Sequence, residues 1–80
     1  MEKIRILMAD DHPVVRAGIR GMLETQPDFE VIAEAENGQE AVASASKLKP
    51  DVILMDLRMP QMEGVEAIGK IKESQPEIHI

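Results

Sequence analysis

Two short apolar runs, each ending in aspartate, constrain this chain more than anything else in it. Ile4-Arg5-Ile6-Leu7-Met8-Ala9 stops at Asp10-Asp11, and Val52-Ile53-Leu54-Met55 stops at Asp56. Nearly continuous apolar runs of this length read as strands of a parallel sheet covered on both faces. In an open parallel sheet the carboxyl ends of the strands open onto one crevice, so acids at those ends converge although they lie far apart in sequence. Carboxylates at close range resist joint ionisation. A hard divalent cation with oxygen ligands removes that penalty, and Mg²⁺ is the usual choice where phosphate chemistry is involved.

Between and beyond the two runs the periodicity switches from strand to helix at regular intervals, the pattern of a parallel α/β sheet. Met1 to Ala9 reads as the first strand. Pro13 suits a first helical turn, and Val15, Ile19, Met22 and Leu23 recur at helical spacing until Pro27 stops the helix. Gly18 and Gly21 weaken that helix locally. From Phe29 to Glu36 the residues Phe29, Val31, Ala33 and Ala35 alternate with Glu30, Ile32, Glu34 and Glu36, as in a half-exposed edge strand. Asn37-Gly38 marks a turn, and Gln39 to Lys49 offers Ala41, Val42, Ala45 and Leu48 on one helical face before Pro50. After Asp56, the Pro and Gly content of Leu57 to Gly64 predicts a loop. Val65, Ile68 and Ile71 outline a third helix ending near Pro76, and Ile78-His79-Ile80 opens a fourth strand.

With 80 residues and no cysteine, the chain is expected to form one small domain without a disulfide scaffold or a thiolate metal site. No apolar stretch approaches the roughly 20 residues a spanning helix needs, so a cytoplasmic protein with no membrane contact is expected. A net charge of -6 argues against nucleic-acid binding by this segment itself, because nonspecific affinity comes mainly from basic side chains on phosphates.

The string Asp10-Asp11-His12 after the first strand, Asn37-Gly38 with Glu40-Ala41 after the second, and Asp51 to Pro60 with Gly64 resemble, in this order and spacing, the receiver domain of bacterial two-component response regulators. The resemblance covers the whole chain. Asp10 to Gly18, read as Asp-Asp-His-Pro-Val-Val-Arg-Ala-Gly, is similar to the LuxR/NarL subfamily, whose receivers are usually followed by a helix-turn-helix DNA-binding domain. The resemblance implies a doubly wound, flavodoxin-like α/β fold with strand order 2-1-3-4-5. Residues 1–80 would form a partial receiver, from strand one to the start of strand four, with DNA contacted only through a C-terminal domain outside it.

By position, the resemblance makes Asp56 the acceptor of a phosphoryl group from a sensor histidine kinase. Asp11 would bind Mg²⁺ directly, Asp10 through a water or from behind the ligands, and Arg58 through its backbone carbonyl. The chain would thus be a phosphoacceptor that assists its own phosphorylation and dephosphorylation rather than an enzyme. Receivers also grip the phosphoryl group with a Thr or Ser ending strand four and a Lys ending strand five, positions expected beyond Ile80. A sheet without them would leave an unpaired edge, so a homodimer or self-association of the fragment is expected. Glu63 stands where the family often has Asp, a departure not expected to touch the acceptor.

An acid after a buried strand also serves as a helix cap, but three acids in this constellation outweigh that reading. His12 reads as a surface or capping residue, because a lone histidine lacks the neighbours of a transition-metal site. A phosphohydrolase of the haloacid dehalogenase type would show Asp-x-Asp, and position 58 is Arg58. A nucleotide-binding loop would need glycines and a phosphate-binding Lys after strand one, where Asp10-Asp11-His12-Pro13 stands. The remaining alternative is a phosphate-independent interaction module that keeps the receiver fold for dimerisation.

Overall fold

A computed structural model describes residues 3–56 and 64–80. The element order is β1 (Ile4–Ala9), α1 (Pro13–Glu24), β2 (Phe29–Ala35), α2 (Gly38–Leu48), β3 (Val52–Met55) and α3 (Gly64–Ser74). The strands form one parallel sheet in the order β2-β1-β3. β1, the most buried strand, is central, and Ile6, Leu7, Met8 and Ala9 are buried. His79 forms a parallel bridge with Val52 along the free edge of β3, the beginning of the expected fourth strand.

Partners in a parallel ladder share a face, so the register assigns residues to the two sides of the sheet. Leu7 and Ile53 point to the side of α2 and α3, where they pack with Ala45, Ile71 and Ile78 in the main core. Ala9, Ala35 and Ala41 close a second, smaller cluster, small enough to bring α2 close to the strand ends. Buried Gln75 donates through Nε2 to the Ala45 carbonyl at 2.9 Å and ties the end of α3 to α2. The opposite face, carrying Met8 and Leu54, lies on the side of α1.

Four expectations need correction. Within residues 1–80 the second acid-ended strand is not buried on both faces: Leu54 is 39% exposed. No residue of α1 is buried, although Val15, Ile19, Met22 and Leu23 have helical spacing; spacing defines a face and leaves open how closely it is pressed to the sheet. On α3 the buried line is Gly64, Ala67 and Ile71, and Val65 is 65% exposed, one step around the helix from that line. Gly64 is therefore the first residue of a helix rather than the last of a loop.

The fourth correction concerns β2. Its register against β1 runs Ile6 to Val31 and then Leu7 to Ala33, so Ile32 is an extra residue. This β-bulge interrupts the alternation expected from Phe29 to Glu36. Val31 shares a face with Ile6, whereas Ala33 and Ala35 share the opposite face with Leu7 and Ala9. Glu34 consequently pairs with Met8 on the α1 side of the sheet.

α2 begins as its sequence requires. Asn37 is its N-cap, accepting a hydrogen bond from the Glu40 amide at 2.9 Å, while Glu40 Oε1 accepts one from the Glu36 amide at 2.9 Å. The Asn37-Gly38 turn is thus a helix start. Lys49 ends the helix in the left-handed conformation, with φ 49°.

Candidate functional site

The three acids read from the sequence meet at the carboxyl ends of β1 and β3. Ligand atoms of Asp10, Asp11, Asp56 and His12 all lie within 4.8 Å of one another. Parallel pairing brings this about: Ala9 is opposite Met55, and the Asp56 amide donates to the Ala9 carbonyl at 2.8 Å, so the next residues on both strands emerge side by side. Arg58, expected to contribute its carbonyl, and Glu63 lie outside the described residues.

Each acid is held differently. The Asp10 amide donates to the Ala35 carbonyl at 3.0 Å, and its Oδ1 accepts from the His12 amide at 2.8 Å, a local turn that leads into α1. Asp10 therefore shapes the turn before α1 without capping the helix, whose N-cap is His12. Asp11 Oδ1 is shut off from solvent and accepts no hydrogen bond among the described residues. Its charge faces His12 Nδ1 at 2.9 Å, the position a cation would take over if the ring turned away. The residues present therefore fit Mg²⁺: hard oxygen donors, converging from two strands, one of them lacking a hydrogen bond.

His12 belongs to this cluster, which its sequence context does not reveal. It occupies the N-cap position of α1 without capping through its side chain. Its Nδ1 lies 3.0 Å from Asp10 Oδ1, 2.9 Å from Asp11 Oδ1 and 3.8 Å from Asp56 Oδ2. Its hydrogen bond goes to Asp10, so toward Asp11 it offers charge without hydrogen-bond alignment. The hydrogen bond with Asp10 and the charges of Asp11, Asp10 and Asp56 raise its pKa above 6.5, against a smaller opposing effect of desolvation. A signal is present in its place directly after two acids, but a lone histidine gives no direction for its ring. At 64% exposure the ring has room to turn outward and leave the acids to a metal. Asp10, His12 and Asp56 also line one end of a cleft of about 550 Å³ between α1 and the sheet, with apolar walls from Met8, Val15, Ile19 and Leu54.

Residues 6–80 match the family model of the response regulator receiver domain. The chain belongs to that family. This receiver is 52% identical over 77 residues to the response regulator protein VraR of Staphylococcus aureus, a match that covers 96% of the chain and 37% of the relative. It thus spans little more than a third of that protein's length. Among solved structures it resembles a LuxR-family two-component response regulator from Aurantimonas, with TM-score 0.90 and 36% identity over 96% of this chain and 55% of that one. It also resembles RcsB of Salmonella enterica serovar Typhimurium bound to promoter rprA in the presence of phosphomimetic BeF3-, with TM-score 0.86 and 32% identity over 96% of this chain and 40% of that one. These matches establish the parallel α/β receiver fold and the LuxR/NarL kinship. Receivers in general bind Mg²⁺ in an acidic pocket, and Asp10, Asp11 and Asp56 form one here. Among the described residues no helix is long and apolar enough to cross a membrane.

Proposed function

We propose that this receiver accepts a phosphoryl group on Asp56 from the phosphohistidine of a sensor kinase, and that Asp11 and Asp56 bind Mg²⁺ with Asp10 behind them and the Arg58 carbonyl completing the set. The convergence of three carboxylates at two strand ends, one with a buried oxygen that accepts no hydrogen bond among the described residues, carries this reading. An Asp56 carboxylate oxygen attacks phosphorus in line. The new O–P bond forms as the N–P bond of the phosphohistidine breaks, and the departing imidazole takes a proton from solvent. Bound Mg²⁺ supplies charge neutralisation for the transferring oxygens. The chain's contribution is placement: β3 fixes Asp56, β1 fixes Asp10 and Asp11, and the exposed mouth admits the kinase histidine. The receiver acts as phosphoacceptor, assisting its own phosphorylation and dephosphorylation, rather than as an enzyme with a separate substrate.

In the intact protein, phosphorylation would shift the receiver between conformations that differ in dimer affinity and so control transcription through a C-terminal DNA-binding domain. The promoter-bound structure of RcsB, a related regulator, supports that arrangement. So does the charge of -6, which leaves DNA contact to another domain. A cytoplasmic location fits a partner kinase that presents its phosphohistidine there.

The test is incubation with acetyl phosphate or phosphoramidate, with and without Mg²⁺, followed by intact mass. One phosphate added only with Mg²⁺ and absent from Asp56→Ala is the expected result. Phosphate retained by Asp56→Ala would refute the acceptor, and none on either protein would favour a phosphate-independent interaction module.

A further inference from the structure

Arg16 reaches from α1 to the backbone beside the acids. Its side chain is only 13% exposed and spans two strand ends. Nη1 donates to the main-chain oxygen of Asp10 at 2.6 Å, and Nε donates to Glu34 Oε1 at 2.9 Å. Glu34 is available because the bulge at Ile32 turns it to the α1 side. Its other oxygen accepts from Arg20, and Glu36 stands 3.8 Å from Arg16 Nη2. The guanidinium charge is thus largely met by carboxylates within its own cluster.

The carbonyl that Arg16 grips belongs to the peptide joining Asp10 to Asp11. The Asp10 amide, on the other side of the same residue, is already bonded to Ala35. Both backbone groups of Asp10 are therefore fixed. The plane of the Asp10–Asp11 peptide sets the direction in which the Asp11 side chain leaves the backbone, and that side chain carries the buried oxygen that lacks a hydrogen bond among the described residues.

We infer that Arg16, held by Glu34, is a positioning residue for the divalent-cation site: by fixing the Asp10–Asp11 peptide it aims Asp11 Oδ1 at the metal. The inference rests on the reading of Asp10 and Asp11 as Mg²⁺ ligands. Groups that orient ligands from behind are commonly worth about 10- to 100-fold in metal affinity. A planar fork can hold a carbonyl and a carboxylate together, whereas an ammonium makes point contacts without that geometry.

Two substitutions separate positioning from charge. If Arg16 acted only as a nearby positive charge, Arg16→Met would tighten Mg²⁺ binding and Arg16→Lys would leave it unchanged. If it positions the peptide, Arg16→Met weakens Mg²⁺ about tenfold or more and Arg16→Lys weakens it by a smaller factor, despite the retained charge. The measurement is calorimetric titration of the intact protein with MgCl₂, at a temperature where circular dichroism shows every variant folded, together with the Mg²⁺-induced shift of the Asp11 amide resonance. A purely structural role would lower the unfolding midpoint and leave the Mg²⁺ affinity of the folded protein unchanged, which overturns the inference. Equal or tighter binding in Arg16→Met overturns it as well. Absence of Mg²⁺ binding by the unsubstituted protein would instead remove the metal site itself, a distinct failure that takes this inference with it.

Discussion

The two faces of the sheet are closed to different degrees. On the α2 and α3 side Leu7, Ala45, Ile53 and Ile71 are almost fully buried and pack as a continuous apolar core. On the α1 side Val15 is 48% exposed, no α1 residue is buried, and the helix is tied to the sheet by Arg16 and Arg20 on Glu34. Both faces bury apolar residues of β1, Leu7 on one and Ile6 and Met8 on the other, but only the α1 side adds charge-assisted hydrogen bonds from its helix to the strand end nearest the acids. Apolar packing fills space but is indifferent to a peptide's orientation; a guanidinium fork is not. The face that carries the site machinery is thus the one whose attachment is directional.

The largest contrast should come from removing apolar bulk on each side. Ile53→Ala leaves a cavity in the close-packed core and should cost about 2–5 kcal/mol, enough to threaten folding at this size. Val15→Ala should stay within about 0.5 kcal/mol, because little buried contact is lost and alanine is the better helix former. Urea unfolding of both variants measures the pair, and equal losses would mean that α1 is packed as tightly as α3.

A smaller effect should strengthen the weak face. Gly18 and Gly21 lie within α1 with negative φ, and a Cβ at either meets nothing within 4 Å. Gly18→Ala and Gly21→Ala should each stabilise by about 0.5–1 kcal/mol through helix propensity alone. A loss of stability in thermal unfolding would show that α1 packs through those positions.

The smallest effect is a pH dependence confined to the α1 side. Burial pushes the Glu34 carboxyl up, but hydrogen bonds from Arg16 and Arg20 outweigh it and hold the pKa below 4.5. That contribution is complete above about pH 4.5 and is lost as pH falls through the lowered value. His12 is shifted the other way, so its contribution is complete below about pH 6.5 and is lost as pH rises through the raised value. Without Mg²⁺, hydrogen exchange of the α1 amides should therefore be slowest between about pH 4.5 and 6.5, after correction for intrinsic rates. Glu34→Gln should flatten the acid limb and His12→Ala the other, while the α2 and α3 amides keep an unchanged profile. A profile in α1 parallel to that in α3 would contradict the charge-held attachment.

Much of the site is legible in the sequence because it depends on strand ends. Asp10, Asp11 and Asp56 come directly after apolar runs, and parallel pairing brings such ends together whatever lies between them. Element order is legible through local chemistry, with Pro13, Pro27 and Pro50 marking boundaries. The place of His12 is not legible, because its partners include Asp56, on another strand. Nor is the exposure of α1, because periodicity reports the direction of side chains and carries no measure of distance to the sheet.

Local periodicity and the residues at element ends are enough to establish the alternation of strands and helices and which three carboxylates converge, and the resemblance of the motifs points to the family. The direction of Glu34 depends on tertiary pairing alone. A bulge is defined by register against a partner strand: Ile32 is surplus only in relation to Ile6 and Leu7. One extra residue reverses the face of the residues after it, carrying Glu34 to the α1 side, where it holds Arg16 against the peptide that joins the two leading acids.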